Sequence, residues 1–311
     1  MKSIIITGAT SMIGAALARR AEAKGIRVLC IARKGSAGLR NIPKSDLIEI
    51  EYRDANEYRN PVSDQNSGYY DVFYHLAWDK TNSAFHDDTD AQAQNIHYTL
   101  DAVRLAKRFG CKKFVGAGSQ AEYGPVLEPL KPETPANPQS GYGVAKYAAG
   151  KLSRLLAQEL GMLFNWARIV GVFGPGGASQ TLITYTINEL RAGRGPEVTK
   201  CEQIWDYLYC DDAADALLAI GENGADGKTY PLGSGDKKRL SEYLEQIKNI
   251  IAPNIALQFG KREYCPHQPM YLCADISELR RDTGWKPKIS FEDGIRKTIA
   301  AADENRYCQG E

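Results

Sequence analysis

An α/β fold, a largely parallel sheet wound on both faces by helices, is what this sequence predicts, on three observations. Short apolar runs alternate with longer segments of helical periodicity through the first half of the chain. The runs are apolar at consecutive positions, as in Ile4-Ile5-Ile6 and Val28-Leu29-Cys30-Ile31, so each strand is buried on both faces. The first run then breaks into a glycine-bearing turn, Thr7-Gly8-Ala9-Thr10-Ser11-Met12-Ile13-Gly14, that opens into an amphipathic helix. Parallel crossovers are right-handed, which selects a doubly wound, Rossmann-type sheet.

Element by element, strands are expected at 3–7, 27–32, 47–51, 71–76, 113–118 and 164–172, with helices at 13–24, 91–109 and 143–160 between them. Gly25, Gly110 and Gly161 follow these helices, where a stop residue belongs. Beyond about residue 171 the pattern loosens. Gly174-Pro175-Gly176-Gly177 reads as a loop and 181–192 as a helix. The run 203–222 reads as a strand leading into a helix capped near Asp211 or Asp212, with further helices at 240–251, 276–282 and 291–301. The expected division is a dinucleotide-binding domain over 1–170 and a smaller mixed α/β substrate lobe over 171–311. The segment around 203–222 is expected to return to the main sheet near 205–218.

Composition narrows the function classes. The 311 residues carry 39 basic and 38 acidic side chains, a formal charge of +1, which offers no field for nucleic acid or an anionic membrane. The seven cysteines lack CxxC spacing, so neither a metal site nor a disulfide frame is expected, and a reducing, cytoplasmic setting fits best. The first apolar run turns to glycine after three isoleucines, too short for a signal peptide or a membrane span.

The turn after the first strand is the strongest local signal. Gly8 permits a tight turn and Gly14 a close helix–strand contact. The helix start, with Thr10, Ser11, Met12 and Ile13, offers free N–H groups and a positive dipole end to a pyrophosphate. Ser11 stands where the middle glycine of such a motif is expected, and its hydroxyl is read as an aid to the phosphate. The second strand ends Ala32-Arg33-Lys34-Gly35-Ser36. An NAD site usually carries an acid there for the ribose 2′-hydroxyl, whereas Arg33, Lys34 and Ser36 suit a 2′-phosphate. NADP(H) is therefore the preferred cofactor, with NAD(H) possible.

Tyr142 and Lys146 lie four apart, on one face of a helix. A nearby ammonium lowers the pKa of a phenol and makes it a better proton exchanger. By itself the spacing also fits an ordinary surface pair.

The order of motifs removes that ambiguity. Thr-Gly-x-x-Ser-x-x-Gly, His75-Leu76-Ala77, Asn95, Gly118-Ser119-Gln120-Ala121-Glu122-Tyr123-Gly124, and Tyr142-x-x-x-Lys146 follow one another. So do Arg168-Ile169-Val170-Gly171-Val172-Phe173-Gly174-Pro175-Gly176, Trp205-Asp206-Tyr207-Leu208-Tyr209-Cys210-Asp211-Asp212, and Ala274-Asp275-Ile276-Ser277 with Gly284-Trp285-Lys286-Pro287. Over nearly its whole length the chain resembles the extended short-chain dehydrogenase/reductase family, particularly its nucleotide-sugar epimerases, dehydratases and reductases. The resemblance implies that Tyr142 exchanges a proton, Ser119 orients the sugar oxygen, and Lys146 binds the nicotinamide ribose while tuning Tyr142. It places Asp54 by the adenine and Leu76 and Ala77 along the cofactor, and it gives Asn95 a bracing role. His75 reads as a buried structural imidazole.

Within that family the Ser119 loop discriminates. Dehydratases usually carry Thr-Asp-Glu where this chain has Ser119-Gln120-Ala121, and Gln120 and Ala121 cannot shuttle the protons of water loss. No cysteine stands there either, unlike certain 3,5-epimerases. Two readings remain. An NADP-dependent reductase of a nucleoside-diphosphate 4-keto-(6-deoxy)hexose is favoured by Arg33 and Lys34. An NAD-dependent 4-epimerase of the UDP-glucose type is the alternative, and a non-catalytic NADP-binding redox sensor, which would typically lack the Tyr–Lys pair, is a remote one. Gln120, Arg168, Trp205 and Arg262 are the expected substrate-side residues. Trp205 occupies the family's usual diphosphate-binding arginine position, and Arg262, Arg194 or Arg191 would supply the missing charge. Relatives often pair through the helices at 91–109 and 143–160, so a homodimer is expected.

Overall fold

The computed structural model describes residues 1–61, 69–177, 181–265 and 268–307; Cys308 and the stretch Ala178 to Gln180 lie outside it. Seven parallel strands form the main sheet. They are β1 (Ser3–Thr7), β2 (Arg27–Ala32), β3 (Ile48–Tyr52), β4 (Val72–His75), β5 (Lys113–Ser119), β6 (Leu163–Ile169) and β10 (Lys228–Leu232), in the spatial order β10-β6-β5-β4-β1-β2-β3. The order reverses between β1 and β4, the switch point at which a doubly wound sheet opens its binding crevice. Ile4 pairs with Val28 on one side and Val72 on the other, and Thr7 ends level with His75.

The apolar runs dictate this placement. In β1, Ile4 and Ile6 face one layer and Ile5 the other, and all three are fully buried. Burial of each is worth roughly 1.5–3 kcal/mol. Helices α1 (Met12–Glu22) and α5 (Cys210–Asn223) cover the first face and pack on each other. Helices α2 (Thr89–Arg108) and α3 (Gly141–Glu159) cover the second, where Phe73, Phe114, Phe164 and Trp166 stack in series. Ser11, Asp88 and Ser140 cap α1, α2 and α3 with their side-chain oxygens.

The second half departs from the expectation in two ways. The run at 164–172 is not one strand: it breaks at Val170 into β6 and β7 (Gly171–Phe173), and β7 pairs with β9 (Tyr207–Tyr209) in a separate ribbon. Nor does 205–218 enter the main sheet. That stretch holds the end of β8 (Ile204–Trp205), then β9, then the start of α5, which returns to the sheet as a covering helix. The seventh strand is β10, with Tyr230 opposite Ala167 and Pro231 opposite Arg168. Pro231 hides it in the sequence, because proline cannot donate to a ladder and is tolerated in an edge strand. Helices α4 (Leu182–Arg191), α6 (Leu240–Ile251), α7 (Ser277–Thr283) and α8 (Phe291–Tyr307) complete the second half, with β11 (Lys238–Arg239) paired to β8. Asp206, fully buried, ties it together by accepting from the backbone N–H groups of Ser234, Gly235 and Ala274.

No helix among the described residues is long and apolar enough to cross a membrane. The described cysteines are free thiols, all buried except Cys265.

Candidate active site

The crevice at the β1/β4 switch point is a cavity of about 470 Å³. Gly8, Thr10 and Ser11 form one wall, Ala32, Arg33 and Ser36 a second, Asp54 a third, and Leu76 and Ala77 the floor beside β4. Gly8 has a φ of +71°, and a Cβ there would stand 2.7 Å from the Ala77 nitrogen, so only glycine lets the two loops close. A Cβ on Gly14 would stand 2.2 Å from the Gly8 carbonyl oxygen, which fixes how tightly α1 is held against the turn. The start of α1 is therefore held close against the turn at the edge of the crevice.

Ser11 takes a different part from the expected one. Its hydroxyl donates to the Gly8 carbonyl at 2.8 Å and accepts from the Gly14 N–H at 3.1 Å. It is the N-cap of α1, and its hydroxyl is already committed. The N–H groups of Met12 and Ile13 in the first helical turn remain for a phosphate. Arg33 and Ser36 line the crevice, whereas Lys34 is exposed outside its lining. Arg53, not singled out by sequence, also reaches the wall, but its guanidinium is tied to Glu51 at 2.7 Å and to the carbonyls of Glu57 and Asn60. The Asp54 backbone N–H is bonded to the Glu57 carboxylate at 2.7 Å.

His75 is buried, with Nδ1 2.8 Å from the Thr7 hydroxyl and Nε2 without a partner among the described residues. Burial, with the Lys146 charge adding to it, holds its pKa down to about 3, so the ring is neutral and takes no acid role near pH 7. Asn95 braces the structure as expected: its side chain accepts from the Asp79 N–H at 2.8 Å and donates to the Asp79 and Ala91 carbonyls.

Ser119, Tyr142 and Lys146 converge. Ser119 ends β5, and Tyr142 and Lys146 occupy the first two turns of α3. The Ser119 hydroxyl accepts from the Ala121 N–H at 3.2 Å and stands near enough to the Tyr142 phenol to lower its pKa. Lys146 donates to the Ala117 carbonyl at 2.8 Å, and its Nζ stands 5.9 Å from the centre of the Tyr142 ring. The titration of the pair differs from the sequence expectation. Burial pushes the Tyr142 phenol up to about 12, against the lowering influence of Ser119. Burial pulls Lys146 down to about 7, opposed by the Glu122 carboxylate. The phenol is thus protonated at neutral pH, because desolvation, with the Glu122 charge adding to it, outweighs the lowering influence of Ser119.

Three partners of this cluster went unread. Glu122 is 1% exposed and accepts from the Ser119 N–H at 2.8 Å, Trp166 Nε1 at 2.9 Å and Arg168 Nε at 2.7 Å. The Ser-x-x-Glu spacing from Ser119 is that of a capping box and was visible in the sequence. Trp78, directly after His75-Leu76-Ala77, lies with Lys146 Nζ 3.7 Å from its ring centre and meets Tyr142 edge-on at 5.9 Å. His86 stacks on Tyr142 at 4.5 Å, and its carbonyl accepts the Tyr142 N–H at 2.7 Å.

The expected substrate residues are not gathered together. Arg168 is buried, paired to Glu122, with its guanidinium 4.3 Å from the centre of the Tyr123 ring. Its guanidinium is thus committed to Glu122 inside the protein. Gln120 is half-buried beside Ser119, and Trp205 half-buried against Tyr207. Arg262 is exposed and donates to the Tyr185 hydroxyl on α4 at 3.1 Å. Arg191 pairs with Asp303, and Arg194 with Glu189 at 2.7 Å. Among the described residues no group of three or more His, Cys, Asp or Glu side chains is placed to hold a metal.

A crevice at the switch point of a parallel sheet, opening beside a glycine turn and a helix start, with a serine, a tyrosine and a lysine gathered nearby, defines an α/β protein of Rossmann type. The chain belongs to the NAD dependent epimerase/dehydratase family, whose model matches residues 4–233. It is similar to the dTDP-glucose 4,6-dehydratase of Shigella flexneri, 30% identical over 179 residues, which are 55% of this chain and 50% of that protein. The chain therefore spans about half the length of that relative. It is also 30% identical over 225 residues to the UDP-glucuronate 4-epimerase of Thermodesulfobacterium geofontis, covering 68% of this chain and 65% of the other. The solved UDP-glucuronic acid 4-epimerase of Bacillus cereus, in complex with UDP-glucuronic acid and NAD, matches with a TM-score of 0.83 over 97% of this chain and 99% of that one. At 19% identity that likeness concerns the fold.

Proposed function

We propose that the protein is an NADP-dependent reductase of a nucleoside-diphosphate 4-keto-(6-deoxy)hexose. The observation that carries this reading is the wall of the crevice at the end of β2, where Arg33 and Ser36 stand and no carboxylate does. Gly8, Thr10, Ser11, Met12, Ile13 and Gly14 would hold the pyrophosphate, Arg33 and Ser36 the 2′-phosphate, Asp54 the adenine end, and Leu76, Ala77 and Lys146 the nicotinamide end. When bound, the reduced dinucleotide supplies a hydride. Ser119 orients the ketone oxygen, and Tyr142, protonated at neutral pH, gives that oxygen its proton. Gln120 and Ala121 offer no acid–base pair for water loss, which sets the reading apart from the dehydratases the chain resembles. The keto-sugar assay follows NADPH absorbance with deuterated cofactor. Stoichiometric NADPH loss with label at C4 is the expected outcome. Interconversion of UDP-glucose and UDP-galactose without net cofactor change would establish the second reading, a 4-epimerase, which the epimerases among the similar proteins favour.

The cofactor choice has its own test. Arg33→Ala is expected to weaken NADPH binding by about 1.5–3 kcal/mol, the worth of one charge-assisted contact, and to leave NADH binding nearly unchanged. Calorimetry reads both. Wild-type affinity for NADH equal to or above that for NADPH would remove the main support for reduction.

A homodimer through α2 and α3 belongs to the same reading. Of the apolar residues on α3, Ala145 and Ala149 pack inward, and Ala148 and Leu156 are half-buried. Val144, Leu152 and Leu155, 52%, 43% and 63% exposed, instead form an outward stripe that a second copy would cover. Light scattering at micromolar protein is expected to give twice the 34.3 kDa of the chain. A Leu155→Glu variant is expected to halve that mass.

A further inference from the structure

Lys146 is 4% exposed and lies within salt-bridge distance of no carboxylate among the described residues. An ammonium in that position is costly unless something replaces its water. Two groups do so: the Ala117 carbonyl, 2.8 Å from Nζ, and the Trp78 ring, whose centre is 3.7 Å away. The indole is not free to drift. Its Nε1 donates to the Gln92 carboxamide oxygen at 3.0 Å, and Gln92 is 1% exposed and donates in turn to the Phe85 carbonyl at 2.9 Å. Asn95 pins the next residue, Asp79, at both its N–H and its carbonyl. The strap from Trp78 to Asp88 is thus fastened to α2 at several points. Its consequence is one aromatic face held against Lys146 and one edge against Tyr142.

We propose that Trp78 is a positioning residue whose π face keeps the buried Lys146 ammonium charged and aimed at the nicotinamide end of the crevice. The contact places the negative face of the ring quadrupole under a cation that lacks a counter-ion, where such a contact is strongest. The other titratable groups around Lys146 are the Glu122 carboxylate, which favours its charge, His75, which stays neutral, and the Tyr142 phenol. His86 faces Tyr142 rather than Lys146. The role assigned to Trp78 rests on the proposed function only for the use made of Lys146. The contact itself is tested on the protein alone.

The first measurement is the tryptophan emission of the wild type minus that of Trp78→Phe, followed against pH without ligand. A change is expected where Lys146 loses its proton, which burial brings below the ordinary lysine range, and it should be absent from Lys146→Met. A flat difference, or a titration that survives in Lys146→Met, overturns the proposal. The second measurement uses whichever of NADPH and NADH the wild type binds more tightly. Trp78→Leu is expected to lose about tenfold in affinity at neutral pH and to recover it as the pH is lowered, because acid restores the charge without the ring. Trp78→Phe, which keeps a ring face, should stay within about threefold. A loss that is the same at every pH marks a merely structural tryptophan and overturns the assignment. Failure of the keto-sugar assay with a normal emission titration would instead count against the reductase reading alone.

Discussion

Tyr142→Phe is expected to lower turnover by about two to four orders of magnitude while leaving dinucleotide affinity nearly unchanged, which is the scale of losing a positioned proton donor. Ser119 lowers the pKa of this phenol, but burial outweighs it and keeps the proton in place at neutral pH. Removing the hydroxyl alone leaves the ring between Trp78 and His86, so the packing at 5.9 and 4.5 Å survives. A single-turnover experiment with the keto-sugar separates the chemical step from binding. Near wild-type turnover in this variant would exclude Tyr142 as the proton donor and with it the acid–base centre as drawn.

Arg168→Met is expected to cost about 3–5 kcal/mol of stability, because it strands the Glu122 carboxylate inside the protein. Both side chains are almost wholly buried, at 6% and 1% exposure, so solvent screening does not soften the loss. For a chain of this size the change corresponds to a fall in Tm of roughly 5–8 °C. Glu122 also holds the Ser119 N–H and Trp166 Nε1, so the damage is expected to reach the Ser119 loop. Replacing both partners, Glu122→Leu with Arg168→Met, should recover part of the loss, since an apolar pair leaves no orphaned charge. A substrate-contacting arginine would behave otherwise: its loss would raise KM and leave Tm where it was. Thermal unfolding of the single and double variants decides between the two.

How much could be read in advance follows the range of the interactions involved. Period and turn chemistry are local, and they placed the first five strands, α1 to α3 and the Gly8–Gly14 turn to within a few residues. Tyr142 and Lys146 share a helix face whatever surrounds them, so their proximity was legible too. The strand at 228–232 was not. It is five residues with a proline, and only the edge position beside β6 makes it a strand.

What the chain determined by itself is therefore the parallel sheet, the crevice at its switch point and the identity of the serine, tyrosine and lysine. Tertiary structure alone decided how those groups titrate and what holds them. Burial turned the expected lowering of the Tyr142 pKa into a rise. It drew Arg168 inward to Glu122, and it set Trp78, 68 positions before Lys146 in sequence, against that ammonium. Desolvation and long-range packing depend on what is brought in from elsewhere in the chain, and no local pattern of residues encodes that.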